Sequence, residues 1–197
     1  MFQKIACTII LILSVAFASF TTEASDTIDA FIEEVRTPSY DCPSQSLFPQ
    51  LEKTLLGESL STQQRFALTV AKGQFLICRG KYEEAEKMLL KAIMQSNIDE
   101  TSYAFASAIY QIGFSYDARE NPARCKYYKQ TQDLSSPERH SDIFTSASLG
   151  LISYCSDSSS PEVRLGKMFG VLKRYSNDGS PGELAHIHNS IGLLYGS

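Results

Sequence analysis

The residues able to do chemistry are few and scattered. Histidine occurs at His140, His186 and His188. His186 and His188 lie two apart on a segment of helical periodicity, about 200° around the axis, so they diverge and do not converge on one metal ion. Glu183 shares a face with His186 at i, i+3, yet one carboxylate and one imidazole make a weak site. The chain carries no Gly-x-Ser-x-Gly elbow, phosphate loop, His-Glu-x-x-His pair or nucleotide fingerprint. Cys42, Cys78, Cys125 and Cys155 include no Cys-x-x-Cys pair, which disfavours a redox role. The expectation is therefore a protein without catalysis, metal or cofactor, whose chemistry is recognition.

Composition narrows the partner. Lys plus Arg number 18 against 22 Asp plus Glu in 197 residues, a net charge of −4. That balance lacks the basic face a nucleic-acid binder shows. Arg119, Arg124, Lys126 and Lys129 cluster without any wider basic excess, and Lys81 to Lys91 alternates sign, with Glu83 and Lys87 at i, i+4, as a solvated helix face does. With 43% hydrophobic and 11% aromatic residues the chain builds a packed core. Disordered and collagen-like classes are excluded.

Residues 1–24 read as an export signal. Lys4 precedes an apolar run from Ile5 to Phe17, and small residues offer cleavage after Ala18 or Ala24. As a helix the run spans about 20 Å, short of the roughly 30 Å hydrocarbon core, so cleavage is favoured over an uncleaved anchor. No other apolar stretch is long enough to span a membrane. The chain is thus expected in the periplasm, with outright secretion as the other outcome. Cys7 lies within the signal, and the four cysteines left in the exported chain read as two disulfides, with buried free thiols as the alternative, and allow three pairings.

The elements that position these residues are helical. Phe66, Val70, Gly73 and Ile77, then Tyr82, Ala85, Leu89 and Ala92, place one apolar stripe on each of two helices, separated by Arg79-Gly80-Lys81. Ser61-x-x-Gln64 and Ser180-Pro181-Gly182-Glu183 are helix starts, and Asn121-Pro122, Ser136-Pro137 and Ser160-Pro161 mark further ones. The pattern predicts helices over 26–36, 44–57, 61–79, 82–96, 100–118, 122–133, 138–155, 161–176 and 182–195. Gly73, Gly113, Gly150 and Gly192 recur inside helices at intervals of 40, 37 and 42 residues. Each costs about 1 kcal/mol relative to Ala, so a shared reason is expected, most simply a neighbouring helix passing close. Gly166-x3-Gly170 is likewise read as close packing between helices.

At these positions the chain resembles the tetratricopeptide repeat family. Phe66 to Asn97 is the best copy, with Gly73, Leu76, Gly80, Tyr82, Ala85, Leu89 and Ala92 at the repeat's preferred positions. Ile112-Gly113-x2-Tyr116, Leu149-Gly150 and Ile191-Gly192-x2-Tyr195 mark looser copies. The resemblance implies an all-α fold: a right-handed solenoid of antiparallel helix pairs, with about three repeats and a C-terminal half repeat over 61–197. Residues 25–60 are then N-terminal capping helices. The layout is also loosely similar to the exported sensor regions of bacterial diguanylate cyclases and kinases. A transmembrane helix after the repeats and an output domain, which those proteins carry, are not found in this sequence.

Residues equidistant from the turn of an antiparallel helix pair lie side by side. Cys42 and Cys78 flank residue 60 symmetrically, and Cys125 and Cys155 flank residue 140, so the expected pairs are Cys42–Cys78 and Cys125–Cys155. In the family it resembles, the first helix of each pair lines the concave surface. Carried onto this sequence, that phase selects Ala67, Val70, Gln74 and Ile77; Ser107, Tyr110, Phe114 and Asp117; Phe144, Ala147, Leu151 and Tyr154; and His186 and Asn189. Tyr110, Phe114, Phe144 and Tyr154 would form an aromatic strip with Asp117 at its edge, a favoured anchor for a peptide or protein partner. The alternative is a register in which these are ordinary core residues. The Lys and Asn clamp that some such arrays use for a C-terminal carboxylate has no counterpart here. The expected function is binding of a peptide or protein through the concave face; the alternative is a ligand-sensing fragment related to bacterial signalling receptors.

Overall fold

Serine begins several helices by satisfying a backbone N–H that the helix itself cannot. In the computed structural model, Ser61, Ser102, Ser160 and Ser180 each accept from the amide three residues on. Ser61 and Ser180 complete capping boxes with Gln64 and Glu183, as their spacing predicts. The structure describes residues 26–38, 41–57, 59–155, 159–176 and 179–196, and the expected export signal over 1–24 lies outside them. Their helices are α1 (26–35), α2 (Phe48–Leu55, led by a 3-10 turn at Gln45–Leu47), α3 (Thr62–Cys78), α4 (Tyr82–Gln95), α5 (Tyr103–Asp117), α6 (Arg124–Leu134), α7 (Ser141–Tyr154), α8 (Pro161–Tyr175) and α9 (Pro181–Tyr195). Among the described residues there is no strand, so the fold is all-α. No helix among them is long and apolar enough to cross a membrane.

The turn between α3 and α4 is made by Gly80 at φ 72°, where a side chain would be strained. Its neighbour Lys81 donates its N–H back to the Leu76 carbonyl at 2.9 Å, closing the end of α3. Several predicted helix starts shift inward, that of α5 from residue 100 to Tyr103 and that of α2 from 44 to Phe48 among them. α6 begins at Arg124, two residues past the predicted start, because Asn121 Oδ1 takes the Ala123 N–H at 2.9 Å and Pro122 O takes the Cys125 N–H at 3.2 Å, forming a separate turn. α7 begins at Ser141 because Ser136 and Arg139 pair their backbones and His140 adopts φ 66°, which interrupts a helix.

Packing passes along the chain. Phe31, Val35, Leu51, Leu68 and Phe75 join α1, α2 and α3. Phe66, Val70, Leu89, Ile109 and Ile112 join α3, α4 and α5. Ala106, Tyr110, Tyr128, Ile143 and Ala147 join α5, α6 and α7, and Leu149, Met168, Tyr175, Ile187 and Ile191 join α7, α8 and α9. Consecutive helices from α2 to α9 pack on one another, and α3 on α5, α5 on α7 and α7 on α9 also touch. Polar ties reinforce the joints. Glu86 of α4 accepts from Tyr116 Oη of α5 at 2.7 Å and pairs with Arg119; this hydrogen bond, with burial, pushes the Tyr116 phenol up to about 12. Buried Glu183 caps α9 and accepts from Ser141 Oγ of α7 at 2.8 Å.

The recurrent glycines have unlike surroundings. A Cβ on Gly73 would lie 3.0 Å from Leu89 of α4, and one on Gly113 would lie 3.1 Å from both Tyr127 and Tyr128 of α6. On Gly150 it would come within 2.5 Å of the Tyr128 ring, on the preceding helix instead of the following one. Gly192 departs from the expectation, with nothing within 4 Å. Its helix is the last one described, and no described helix follows to cover it. Gly166 and Gly170 also face open space, which overturns their reading as a packing seam.

Candidate functional site

Two disulfides brace the helices at the expected cysteines. Cys42–Cys78, with Cα atoms 6.0 Å apart, ties the segment before α2 to the end of α3. Cys125–Cys155, at 5.6 Å, ties the start of α6 to the residue after α7. The first bond also forms part of the wall of a cavity of about 330 Å³.

This cavity gathers residues far apart in sequence. Gln74 and Ile77 come from α3, Ser107, Tyr110 and Phe114 from α5, and His186 from α9. All six belong to the set carried over from the repeat phase, and one helical turn separates successive members on α3 and α5. Their depths differ, however. Phe114 and His186 are half-buried, but Gln74 and Tyr110 are 8% and 6% exposed. Gln74 serves the fold: its amide donates to the carbonyls of Pro38 at 3.0 Å and Asp41 at 2.7 Å, holding the segment before α2 against α3. Tyr110 is a core residue as well as a wall, with its ring centroid 6.3 Å from Phe114 and 5.9 Å from Tyr128. Burial pushes its phenol up, against a hydrogen bond with Ser146. Burial also holds the His186 imidazole below the ordinary histidine pKa, so that ring faces the cavity uncharged at neutral pH.

The remaining expected groove residues lie elsewhere. Asp117 is committed to α6, accepting from Tyr128 Oη at 3.0 Å and pairing with Arg124 at 2.9 Å. Burial raises its pKa, opposed by those two partners. Tyr154 is 46% exposed and lies under the Arg124 guanidinium at 4.7 Å, and Phe144 lies under that of Arg174 at 6.0 Å. Leu151 packs on the core shared by α5, α6 and α7, Val70 and Ala147 are core residues, and Asn189 is exposed on α9. The aromatic strip is therefore divided: Tyr110 and Phe114 meet each other at the cavity, whereas Phe144 and Tyr154 meet cations.

The repeat phase does not select Gln111, which the structure places on the same wall. It is 4% exposed, its Nε2 donates to Ser107 Oγ at 3.2 Å, and its Oε1 has no hydrogen-bond partner. Leaving a buried amide oxygen unpaired costs about 1–3 kcal/mol. Gly73 makes the arrangement feasible, since a Cβ there would fall 2.6 Å from that oxygen. A sequence signal does exist: Gln111 is the lone amide within the otherwise small and apolar run from Ala104 to Phe114. No Lys or Arg is among the described residues lining the cavity, and Asp41 is the one acidic residue among them. Among the described residues no group of three or more His, Cys, Asp or Glu is gathered to hold a metal ion. The geometry is suited to enclosing a small uncharged group. Comparison of the chain with family models, curated proteins and solved structures finds no match.

Proposed function

We propose that this chain is an exported, non-catalytic binding module, a right-handed tetratricopeptide-like solenoid that takes a peptide or protein segment on its concave face. The direct contacts of α3 with α5, α5 with α7 and α7 with α9, each skipping the helix between them in the chain, support stacked helix pairs. The passage of Gly73 and Gly113 against the second helix of their own pairs supports the same repeat phase. Two disulfides fit an oxidising compartment, the periplasm first and the exterior second. The single observation that carries the binding role is the convergence of Gln74, Ile77, Ser107, Tyr110, Phe114 and His186 on one cavity. Panning a random peptide library on the immobilised protein tests it. Enriched peptides are expected to lose about tenfold in affinity on Phe114→Ala with the helical circular dichroism unchanged. Failure to enrich any peptide, or peptides indifferent to Phe114, would sink the reading. A second reading, a small-ligand sensor acting with a membrane partner, draws on the cavity volume, which lies at the low end of the roughly 300–1,000 Å³ of ligand pockets.

A further inference from the structure

We infer that the cavity takes one uncharged apolar side chain and releases it when His186 gains a proton. The inference rests on the peptide-binding reading and specifies what the peptide presents and when it is held. Most polar groups of the wall are engaged or sealed. Gln74 and Gln111 are 8% and 4% exposed, so little of either amide meets a guest. Their nitrogens donate to Pro38 and Asp41 and to Ser107, and Gln111 Oε1 is closed off against Gly73. Asp41 is exposed to solvent, and its Oδ1 accepts the Cys42 N–H at 2.7 Å. Tyr110 is buried, with its phenol hydrogen-bonded to Ser146. The surface left to a guest is then Ile77, Phe114 and the Cys42–Cys78 bridge, with the half-buried rings of Tyr82 and His186. An anion finds no Lys or Arg among the described lining residues, and a cation would leave water without gaining a buried counter-charge. An apolar group gains from the same burial.

His186 sets the condition. It is half-buried in the wall, and burial already holds its imidazole below the ordinary histidine pKa. Glu183, one turn earlier on α9, is committed to Ser141 of α7 and to the Ser180 N–H. No titratable residue of α7 or α8 is among the described lining residues, and Asp41, Tyr82 and Tyr110 are the other titratable groups there. A guest that displaces water from the ring raises the cost of charging it. Affinity is therefore full above the His186 pKa and falls as pH drops through it.

N-phenyl-1-naphthylamine, an uncharged probe that brightens in apolar surroundings, tests this on the disulfide-intact protein. Its affinity should be about tenfold lower at about pH 5 than at about pH 7.5. That difference should vanish in His186→Gln and persist in His188→Gln, an exposed position on α9. N-acetylphenylalaninamide should displace the probe, whereas the matching arginine and aspartate amides should need about tenfold higher concentrations. In the wild type, the His186 imidazole followed by NMR should titrate at lower pH with the probe bound, which tests the coupling without any variant. Equal affinity at the two pH values, a His186 titration indifferent to the probe, or stronger displacement by the arginine amide would overturn the proposal. Library peptides that bind through Phe114 equally at both pH values would overturn it and leave the peptide-binding reading standing. Probe binding with the expected pH dependence and no enriched peptide would uphold the pocket and remove the peptide reading.

Discussion

Gly150 and Gly192 lie inside α7 and α9, and adding one methyl group to each should have opposite effects. At Gly150 the new carbon would meet the Tyr128 ring at 2.5, 2.8 and 2.9 Å, and Tyr128 is only 2% exposed, so the ring has nowhere to retreat. Gly150→Ala is expected to destabilise by about 1–3 kcal/mol through overpacking. At Gly192 nothing lies within 4 Å, and Gly192→Ala should stabilise by up to about 1 kcal/mol through helix propensity. Urea unfolding midpoints compare the two, and a stabilised Gly150→Ala would refute the close approach. At this scale the recurrence of glycine was legible in the sequence, but its cause was not. A missing side chain looks the same whether it admits a neighbour's ring or faces solvent. Gln111 illustrates the converse, since its type and apolar context are plain in the sequence but its unpaired oxygen over Gly73 is not.

At the scale of elements, local chemistry dominates. Ser61 Oγ accepts the Gln64 N–H at 3.1 Å while Gln64 Oε1 accepts the Ser61 N–H at 3.0 Å, and Ser180 with Glu183 repeats the exchange at 3.2 and 2.9 Å. Replacing either serine by alanine should lower stability by about 1 kcal/mol in urea unfolding. Ser180→Ala should cost the more, because it strips the Glu183 N–H of its acceptor and Glu183 is buried, so water does not replace the lost partner. Equal losses would show that the burial of Glu183 adds nothing to the cost. These starts could be read directly because a capping box involves residues within a single turn. The starts of α6 and α7 were misplaced by two and three residues for a related reason. A proline can open a helix or a turn, and the competing acceptors at Asn121 and Ser136 decided for the turn.

For the whole molecule, the disulfides close loops of 36 and 30 residues within a structure whose contacts run mainly between neighbouring helices. Loop closure then gives about 4 kcal/mol for each bond. Replacing either cysteine pair by alanines should lower the unfolding free energy by about 3–4 kcal/mol, and a loss below about 1 kcal/mol in urea titrations would refute that account. Removing Cys42–Cys78 should in addition weaken binding of the enriched peptides, because that bond is part of the cavity wall. The sequence by itself determined the helical class, the main turns, the caps and the cysteine pairing. All of these follow from interactions within a few residues or from the mirror symmetry of two helices about one turn. Only the tertiary structure decided that Gln74 and Tyr110 sink into the core, that Asp117, Phe144 and Tyr154 turn to cations, and that α9 brings His186 to the cavity shared with α3 and α5. The depth of a side chain depends on how closely helices distant in the chain approach, and that distance is set by the summed volumes of many packed residues.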